Sequence, residues 1–275
     1  MARRPAALAR AAQPRQHAHM STSRVIADAL APIVDFIYPP RCPACGAGVG
    51  EQGGLCAQCW DDLVIPSEPC CAACQRPFAS ASSDGSALCG PCLATRPVHD
   101  GIAAGTLYTE TSRKLVLALK HGGRIALAPM LARLIAARLP TANPRRLIVP
   151  VPLHRRRLWS RGYNQAGLLA RELGRFGHGI VLVDALVRTR STPTLGGLGK
   201  RERAKVLAGA LAVRGSAKER IKGAEIILVD DVLTSGATSS ACVAALKRAG
   251  ATRVTIACFA RVLDEALDTA RGSKG

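Results

Sequence analysis

The chain has 275 residues, enough for one large domain or two smaller ones. Its formal net charge of +19 favours anionic partners, either nucleic acid, phosphorylated metabolites or an anionic membrane surface. Aromatic residues make up only 3% of the sequence, which argues against a broad aromatic platform for stacking single strands and predicts a core of smaller apolar residues.

The N-terminal segment is basic and carries no membrane signal. Residues 1–19 contain four arginines and no acid, and they lack the apolar stretch of a secretory signal. The apolar run at 25–38 is interrupted by two aspartates and is too short to span a bilayer. We therefore expect residues 1–24 to be a disordered tail or an over-extended translation start. We also expect no transmembrane segment and a cytoplasmic location.

Residues 41–95 hold nine of the eleven cysteines. Eight of them form the C-x-x-C pairs Cys42/Cys45, Cys56/Cys59, Cys71/Cys74 and Cys89/Cys92. A C-x-x-C turn points two thiolates at one ion, and two such turns complete a tetrahedral site for structural Zn²⁺. Disulfides would instead need an oxidising compartment. The spacing therefore predicts a double zinc ribbon domain over residues 25–95.

The spacing leaves the order of pairing open. Consecutive pairs could combine into two successive ribbons, or the first pair could combine with the third and the second with the fourth. Cys70, next to Cys71, could replace it as a ligand.

Strand and helix patterns alternate over residues 100–262. Helices are predicted at 112–123, 127–139, 164–176 and 238–250, and strands at 145–152, 179–187, 224–231 and 253–262. This alternation predicts an α/β fold with a doubly wound, mainly parallel sheet, in which ligands bind at the carboxyl ends of the strands. Residues 263–275 are expected to be a C-terminal tail.

The stretch IILVDDVLTSGAT, from Ile226 to Thr238, concentrates polar chemistry at a predicted strand end. The loop TSGAT places backbone N–H groups and hydroxyls at a helix N-terminus, which is an anion site. Two acids beside such a site would repel phosphate unless they bind ribose hydroxyls or a bridging Mg²⁺. The residues therefore predict a sugar phosphate with free hydroxyls as the ligand.

This stretch resembles the 5-phosphoribosyl-1-pyrophosphate (PRPP) motif of type I phosphoribosyltransferases. The resemblance implies that Asp230 and Asp231 contact the ribose hydroxyls and that PRPP binds with Mg²⁺. It also implies a loop that holds the 5-phosphate, formed by Thr234, Ser235, Gly236, Ala237 and Thr238.

Other segments resemble the ComF (competence protein F) family over about residues 25–262: VPVPLHRRRLWSRGYNQAGLLARELGR, LCAQCW and LALKHGG. The resemblance implies a phosphoribosyltransferase-like domain at 100–262 and a role in the uptake of single-stranded DNA during natural transformation. It further implies partners among the DNA-uptake proteins at the inner membrane.

The basic loop HRRRLWSRGYNQA resembles, by position, the loop that meets pyrophosphate in phosphoribosyltransferases. Arg161 and Asn164 are its predicted PRPP ligands, since guanidinium groups suit phosphate oxygens. Arg161 joins Asp230 and Asp231 as a candidate catalytic residue. The nearby Trp159 and Tyr163 could stack a base.

Residues 188–213 resemble the family's mobile catalytic hood, with a basic run at Lys200, Arg201, Arg203 and Lys205. Leu195, Val206 and Leu211 depart from the Gln, Asn and Phe usual there. Three functions follow from the resemblance and these departures. They are a PRPP-binding protein of DNA uptake, an active Mg²⁺-dependent phosphoribosyltransferase in nucleotide metabolism, and a non-catalytic scaffold that senses PRPP.

Overall fold

The computed structural model describes residues 38–78, 85–189, 202, 206 and 209–263, with the backbone alone at 156 and 157. The described residues from Pro40 onwards belong to one compact unit, and every element below lies in it. Within the described ranges, each helix is too short or too polar to cross a bilayer.

A parallel sheet lies at the centre of the unit. Its strands are β1 (Gly101–Leu107), β2 (Leu147–Pro150), β3 (Ile180–Val181), β6 (Glu225–Leu233) and β7 (Arg253–Arg261). They are arranged in the order β1-β7-β6-β2-β3. Two further strands, β4 (Leu186–Arg188) and β5 (Leu211–Val213), form a separate antiparallel pair. The predicted α/β fold with a mainly parallel sheet is thus confirmed.

The helices follow the local signals in the sequence. They are α1 (Ala57–Asp61), α2 (Gly90–Ala94), α3 (Glu110–His121), α4 (Ala128–Ala136), α5 (Arg155–Arg161), α6 (Gln165–Arg175), α7 (Lys218–Ile221) and α8 (Ala237–Arg248). Thr109 and Ser112 form a capping box that starts α3. Asn164 caps α6 by accepting a hydrogen bond from the Ala166 N–H.

Helices cover both faces of the sheet. On one face, Leu228 and Ile256 pack in a buried cluster with Cys242 and Leu246 of α8. On the other face, the buried cluster joins β6 and β7 to α3, α4 and α6, and Phe259 is its largest fully buried side chain. The predicted core positions of Cys242 and Cys258 are confirmed, because both are completely buried.

The cysteine-rich segment packs along the free edge of the sheet. The Ala104 N–H of the edge strand β1 donates to Gln75 Oε1 at 3.2 Å, and the Leu107 N–H donates to the Val64 carbonyl at 2.8 Å. An uncovered edge strand would expose unpaired backbone groups to other chains. The segment around residues 64 and 75 therefore protects the edge that β1 would otherwise present.

The order of the strands reverses between β2 and β6. The chain leaving β2 runs through α5 and α6 to β3 on one side, whereas the chain leaving β6 runs through α8 to β7 on the other. In open α/β sheets, the crevice outside such a reversal is where ligands bind. The carboxyl ends of β2 and β6 are therefore the place to look for a site.

Three segments differ from the sequence-based prediction. The sequence does not predict β1, because this strand is short of large side chains and buried along its length, so no alternating pattern marks it. The predicted strand at 179–187 splits into β3 and β4 at a turn over 183–185. The loop after β2 contains the helix α5, whose run of arginines lacks an apolar face.

Candidate functional site

The paired cysteines gather into two groups. One group is Cys42, Cys45, Cys56 and Cys59, and the other is Cys71, Cys74, Cys89 and Cys92, with the ligand atoms of each group within 4.8 Å of one another. The C-x-x-C pairs therefore combine in order along the chain, and the cross-braced alternative is wrong.

Cys70 lies outside the second group. Its Sγ donates to Glu68 Oε1 at 3.2 Å, and its backbone N–H donates to Glu68 Oε2 at 3.1 Å. Cys71, directly after it, is the residue that faces the other three sulfurs.

The sulfur spacings fit a tetrahedral ion rather than a disulfide. Cys45 Sγ and Cys56 Sγ are 3.6 Å apart, and Cys74 Sγ and Cys89 Sγ are 3.5 Å apart. A disulfide requires about 2.05 Å. Four sulfurs at about 2.3 Å from a central ion stand about 3.8 Å from each other. Both groups thus match closed, structural zinc sites.

Backbone groups favour the thiolate forms that zinc binds. Burial alone would raise the pKa of the Cys71 thiol, but backbone N–H groups aimed at its sulfur outweigh burial and lower the pKa to about 7. One of them is the Cys89 N–H, 3.3 Å from Cys71 Sγ. The same balance lowers the pKa of Cys42 to about 6. The pKa of Cys59 and the pKa of Cys92 are raised instead, chiefly by burial, so backbone groups favour the thiolate at Cys42 and Cys71 in particular.

Asp230 and Asp231 lie at the point where β6 parts from β2. The pairing of β6 with β2 ends at Val229, opposite Pro150, while β6 continues beside β7 as far as Leu233. The sequence predicts that the strand stops at the two acids, and this boundary is wrong. The strand continues because β7 still supplies backbone partners there.

The two carboxylates project towards different helices. Asp230 accepts a hydrogen bond from the Ser239 hydroxyl of α8 at 3.3 Å. Asp231 Oδ1 pairs with Lys120 Nζ at the end of α3 at 3.1 Å. At the end of β6, Asp230 is therefore bound to α8 on one face of the sheet, and Asp231 is bound to α3 on the other face.

Asp230 is poorly compensated as an anion. Burial is the largest cause that raises its pKa from the ordinary range to about 7, and the neighbouring charge of Asp231 is the second. The Asp231 N–H, 2.9 Å away, together with Lys120 and Ser239, opposes the shift without cancelling it. A cation or a set of hydroxyl donors at this position would favour the ionised form.

Lys120 is a residue of this site that the sequence-based prediction omits. Its side chain is 22% exposed and that of Asp231 is 14% exposed, so their ion pair is mostly shielded from water. Lys120 follows Val116 by four positions, on the buried side of α3. A lysine on the apolar stripe of a helix is the signal that could have indicated a specific partner.

The loop after β6 has the form of an anion cradle. Gly236 adopts φ of +70° and is the N-cap of α8, so the N-cap residue itself supplies no side chain to the first turn. The first N–H groups of the helix therefore face outwards without helical partners. Thr234 is exposed, whereas Ser235, Ala237 and Thr238 are partly buried around the turn.

The basic loop after β2 is fixed by its own polar residues. Asn164 Nδ2 donates to the Val151 carbonyl at 3.0 Å, and its Oδ1 caps α6, so this amide holds the loop in place. Arg161 Nη1 lies 3.4 Å from Gln165 Oε1. The Tyr163 hydroxyl donates to the Leu119 carbonyl at 2.6 Å and so ties the loop to the turn that carries Lys120.

The segment predicted to be a catalytic hood lies largely outside the described residues, including Leu195 and the basic run Lys200, Arg201, Arg203 and Lys205. Of the described part, Leu211 is buried in β5 and Val206 is partly buried.

Two four-cysteine sites joined to this type of parallel sheet define a class of protein: a double zinc ribbon followed by a phosphoribosyltransferase-type domain. Family comparison agrees. A double zinc ribbon domain matches residues 33–93, and a phosphoribosyl transferase domain matches residues 158–271.

Several proteins are similar in sequence over most of this chain. DNA utilization protein YhgH of Escherichia coli (strain K12) is 32% identical over 228 residues, 76% of this chain and 98% of that protein. Its counterpart in Salmonella typhimurium is 31% identical over 81% of this chain and 90% of the relative. Competence protein F of Haemophilus influenzae is 30% identical over 75% of this chain and 96% of the relative. The chain therefore belongs to the ComF family, which includes these proteins.

Proposed function

We propose that this chain binds PRPP together with Mg²⁺ at the carboxyl ends of β2 and β6, and that it acts on single-stranded DNA taken up during natural transformation. One observation carries the PRPP assignment. The acids Asp230 and Asp231 lie towards the carboxyl end of β6, and the loop that follows leads to a helix N-terminus whose N-cap is Gly236.

The charges of the site support a ribose carrying phosphates. The α8 N-terminus suits the 5-phosphate, with the hydroxyls of Thr234, Ser235 and Thr238 beside it. The basic loop suits the pyrophosphate, and Arg161 is its proposed ligand and a candidate catalytic residue. Asn164 contributes by holding that loop to Val151. Asp230 and Asp231 would accept hydrogen bonds from the ribose hydroxyls.

The acid pair also fits Mg²⁺. This ion is usually held by one or two carboxylates together with substrate phosphates. The raised pKa of Asp230 indicates a carboxylate that gains from a nearby cation. When bound with PRPP, Mg²⁺ would offset the charge of the pyrophosphate. The role of the protein's own residues would be to orient the ribose and to keep both carboxylates ionised next to it.

Binding is tested by titrating PRPP with Mg²⁺ into the zinc-loaded full chain, with heat as the readout. The double variant Asp230→Asn/Asp231→Asn should lose binding by at least about tenfold. The control Asp61→Asn/Glu219→Gln removes the same charge from exposed positions and should bind like the natural sequence. Unchanged binding by the acid-pair variant, or none by the natural sequence, would rule out this site.

Whether the protein also transfers the phosphoribosyl group from PRPP is tested with the same zinc-loaded full chain. Transfer to a base would break the bond between ribose C1 and pyrophosphate and form one between C1 and a ring nitrogen. Pyrophosphate release on adding nucleobases would assign an active transferase. Binding without release would assign a non-catalytic sensor of PRPP.

The proposed DNA role draws on the charge of the chain and on the names of its relatives. Trp159 is 90% exposed on α5, between arginines, and could stack a base. Affinity for an oligothymidylate should fall steeply with salt if phosphates are bound. Trp159→Ala should weaken it about tenfold. Trp60→Ala on α1 is the control. Salt-insensitive or absent binding would remove DNA from the proposal.

The proposal also places the protein on the cytoplasmic side, near the inner-membrane uptake proteins, where cysteine thiolates stay reduced. It divides the chain into a double zinc ribbon domain at 25–95 and a phosphoribosyltransferase-like domain at 100–262. Segments 1–24 and 263–275 would be tails.

A further inference from the structure

A cavity of about 500 Å³ lies next to the basic loop, and Arg155, Tyr163 and Asn164 of that loop contribute to its lining. Its walls come from the end of β2, from α6 and from β4, and they include Pro150, Leu153, Leu168 and Leu186. Neither the acids nor the loop after β6 lines it. A volume of this size is typical of small-molecule sites.

Four arginines line this cavity: Arg155, Arg171, Arg188 and Arg214. Among the described residues, the guanidinium groups of the exposed residues Arg155, Arg171 and Arg214 have no hydrogen-bond or ion-pair partner. Asp184 is the one acid among the described lining residues, and it forms no ion pair with a described residue. Several guanidinium groups of like charge around one cavity repel each other, and an anion between them relieves that repulsion.

Apart from Tyr163 and Asn164, the other described lining residues are apolar, and these apolar residues select the shape of the anion. Pro150 and Leu186 are buried, and Leu153 and Leu168 are partly buried, so they form a dry wall with no charge to satisfy. A bare phosphate would leave this wall in contact with water. A ligand with a flat ring at one end and phosphate at the other would cover the wall and reach the arginines.

We infer that this cavity binds a nucleotide unit, with its base against the Pro150–Leu186 side and its phosphate among Arg155, Arg171 and Arg214. The unit could be a free mononucleotide or one residue of a single strand, since both present the same chemistry. This site borders the proposed PRPP site at the basic loop, since Asn164 also lines the cavity, and it goes beyond that site because neither acid of the pair takes part in it.

The probe is AMP, titrated into the zinc-loaded full chain, with adenosine as the uncharged comparison. AMP should bind at least about tenfold more tightly than adenosine. Arg171→Gln/Arg214→Gln should lose at least about tenfold in AMP affinity. The control Arg220→Gln/Arg248→Gln removes two exposed charges elsewhere and should stay within about twofold.

The acid-pair variant separates this site from the PRPP site. Asp230→Asn/Asp231→Asn should keep its AMP affinity, whether or not PRPP binds to the natural sequence. A 12-mer of thymidylate identifies the source: dependence of its affinity on Arg171 and Arg214 points to a strand, and AMP binding alone points to a free nucleotide. The inference is overturned if AMP fails to bind, if adenosine binds equally well, or if both arginine pairs have the same effect.

Discussion

Lys120 Nζ lies 3.1 Å from Asp231 Oδ1, although 111 positions separate the two residues in the sequence, from 120 to 231. The pair joins the last turn of α3 to the carboxyl end of β6. One residue earlier, the Leu119 carbonyl receives the Tyr163 hydroxyl from the basic loop. The end of α3 therefore holds the basic loop and the carboxyl end of β6 together beside the proposed PRPP site.

Lys120→Met should destabilise the protein, because it leaves Asp231 without its cation in a mostly buried position. The loss should be about 1–3 kcal/mol, between the values for exposed and buried ion pairs. The measurement is the free energy of unfolding in urea at pH 8, with zinc present. Lys114→Met, at an exposed position on the same helix, should change it little.

A double-mutant cycle tests the pairing itself. Lys120→Met/Asp231→Asn should lose less stability than the two single variants added together, because both charges leave at once. Additive losses would mean that the contact between Lys120 and Asp231 contributes nothing to stability.

Asp230→Asn should stabilise the protein above neutral pH and leave its stability unchanged in acid. The folded-state pKa of about 7 lies above the ordinary carboxyl value, so the folded state holds an extra proton between about pH 4 and pH 7. The free energy of unfolding of the natural sequence therefore falls as pH rises through this window. Asparagine cannot ionise, so the variant should avoid that loss.

The expected gap between Asp230→Asn and the natural sequence at pH 8 is about 1–3 kcal/mol. A tenfold difference in proton affinity corresponds to about 1.4 kcal/mol, and the neighbouring charges share the effect. Thermal unfolding from pH 4 to pH 8 measures this gap. Asp61→Asn, at an exposed acid, gives the baseline. Parallel pH profiles for Asp230→Asn and the natural sequence would contradict the raised pKa.

Local patterns in the sequence were enough to predict the sheet class, the helices after Thr109 and Asn164, and the zinc ligands. A cap, an apolar stripe or a C-x-x-C spacing acts over a few residues, so each can be recognised without the fold. Cys42 and Cys59 are an example of such local recognition, because these outermost ligands of the first zinc group lie in one short segment of the sequence. The order of cysteine pairing depends on the path of the chain between the pairs, and the pattern alone left it open.

Contacts between distant segments could not be predicted in this way. Lys120 meets Asp231 only because α3 crosses the end of β6, and nothing near either residue encodes that crossing. β1 gave no alternating pattern because both of its faces are buried, with Ile102 and Ala104 in one core cluster and Ala103 in the other. The arginine-lined cavity likewise arises where α6 meets β4.

Gly236→Ala should cost stability and also weaken PRPP binding. The added Cβ has room, with Leu233 Cδ1 at 3.8 Å as its nearest neighbour, so the cost comes from φ of +70°. That cost is about 1 kcal/mol. Relaxing the strained turn would redirect the first N–H groups of α8. Gly223→Ala, at φ of +75° with open space, is the control. It should lose similar stability and keep its affinity for PRPP. If Gly236→Ala and Gly223→Ala have equal affinities for PRPP, the turn at Gly236 does not contribute to PRPP binding.

Cys71→Ser should halve the zinc content, and Cys70→Ser should leave it unchanged. Cys71 belongs to the second group of four sulfurs, whereas the Cys70 thiol is engaged by Glu68. With two such groups among the described residues, metal analysis should give two ions for the natural sequence and for Cys70→Ser, and about one for Cys71→Ser. Equal zinc loss in both variants would make Cys70 a ligand and contradict the assignment.

The loss of the second ribbon should also expose the edge of the sheet. It would release Gln75 from β1, because metal supplies much of the folding free energy of such small units. Cys71→Ser should therefore aggregate more readily through the exposed edge strand.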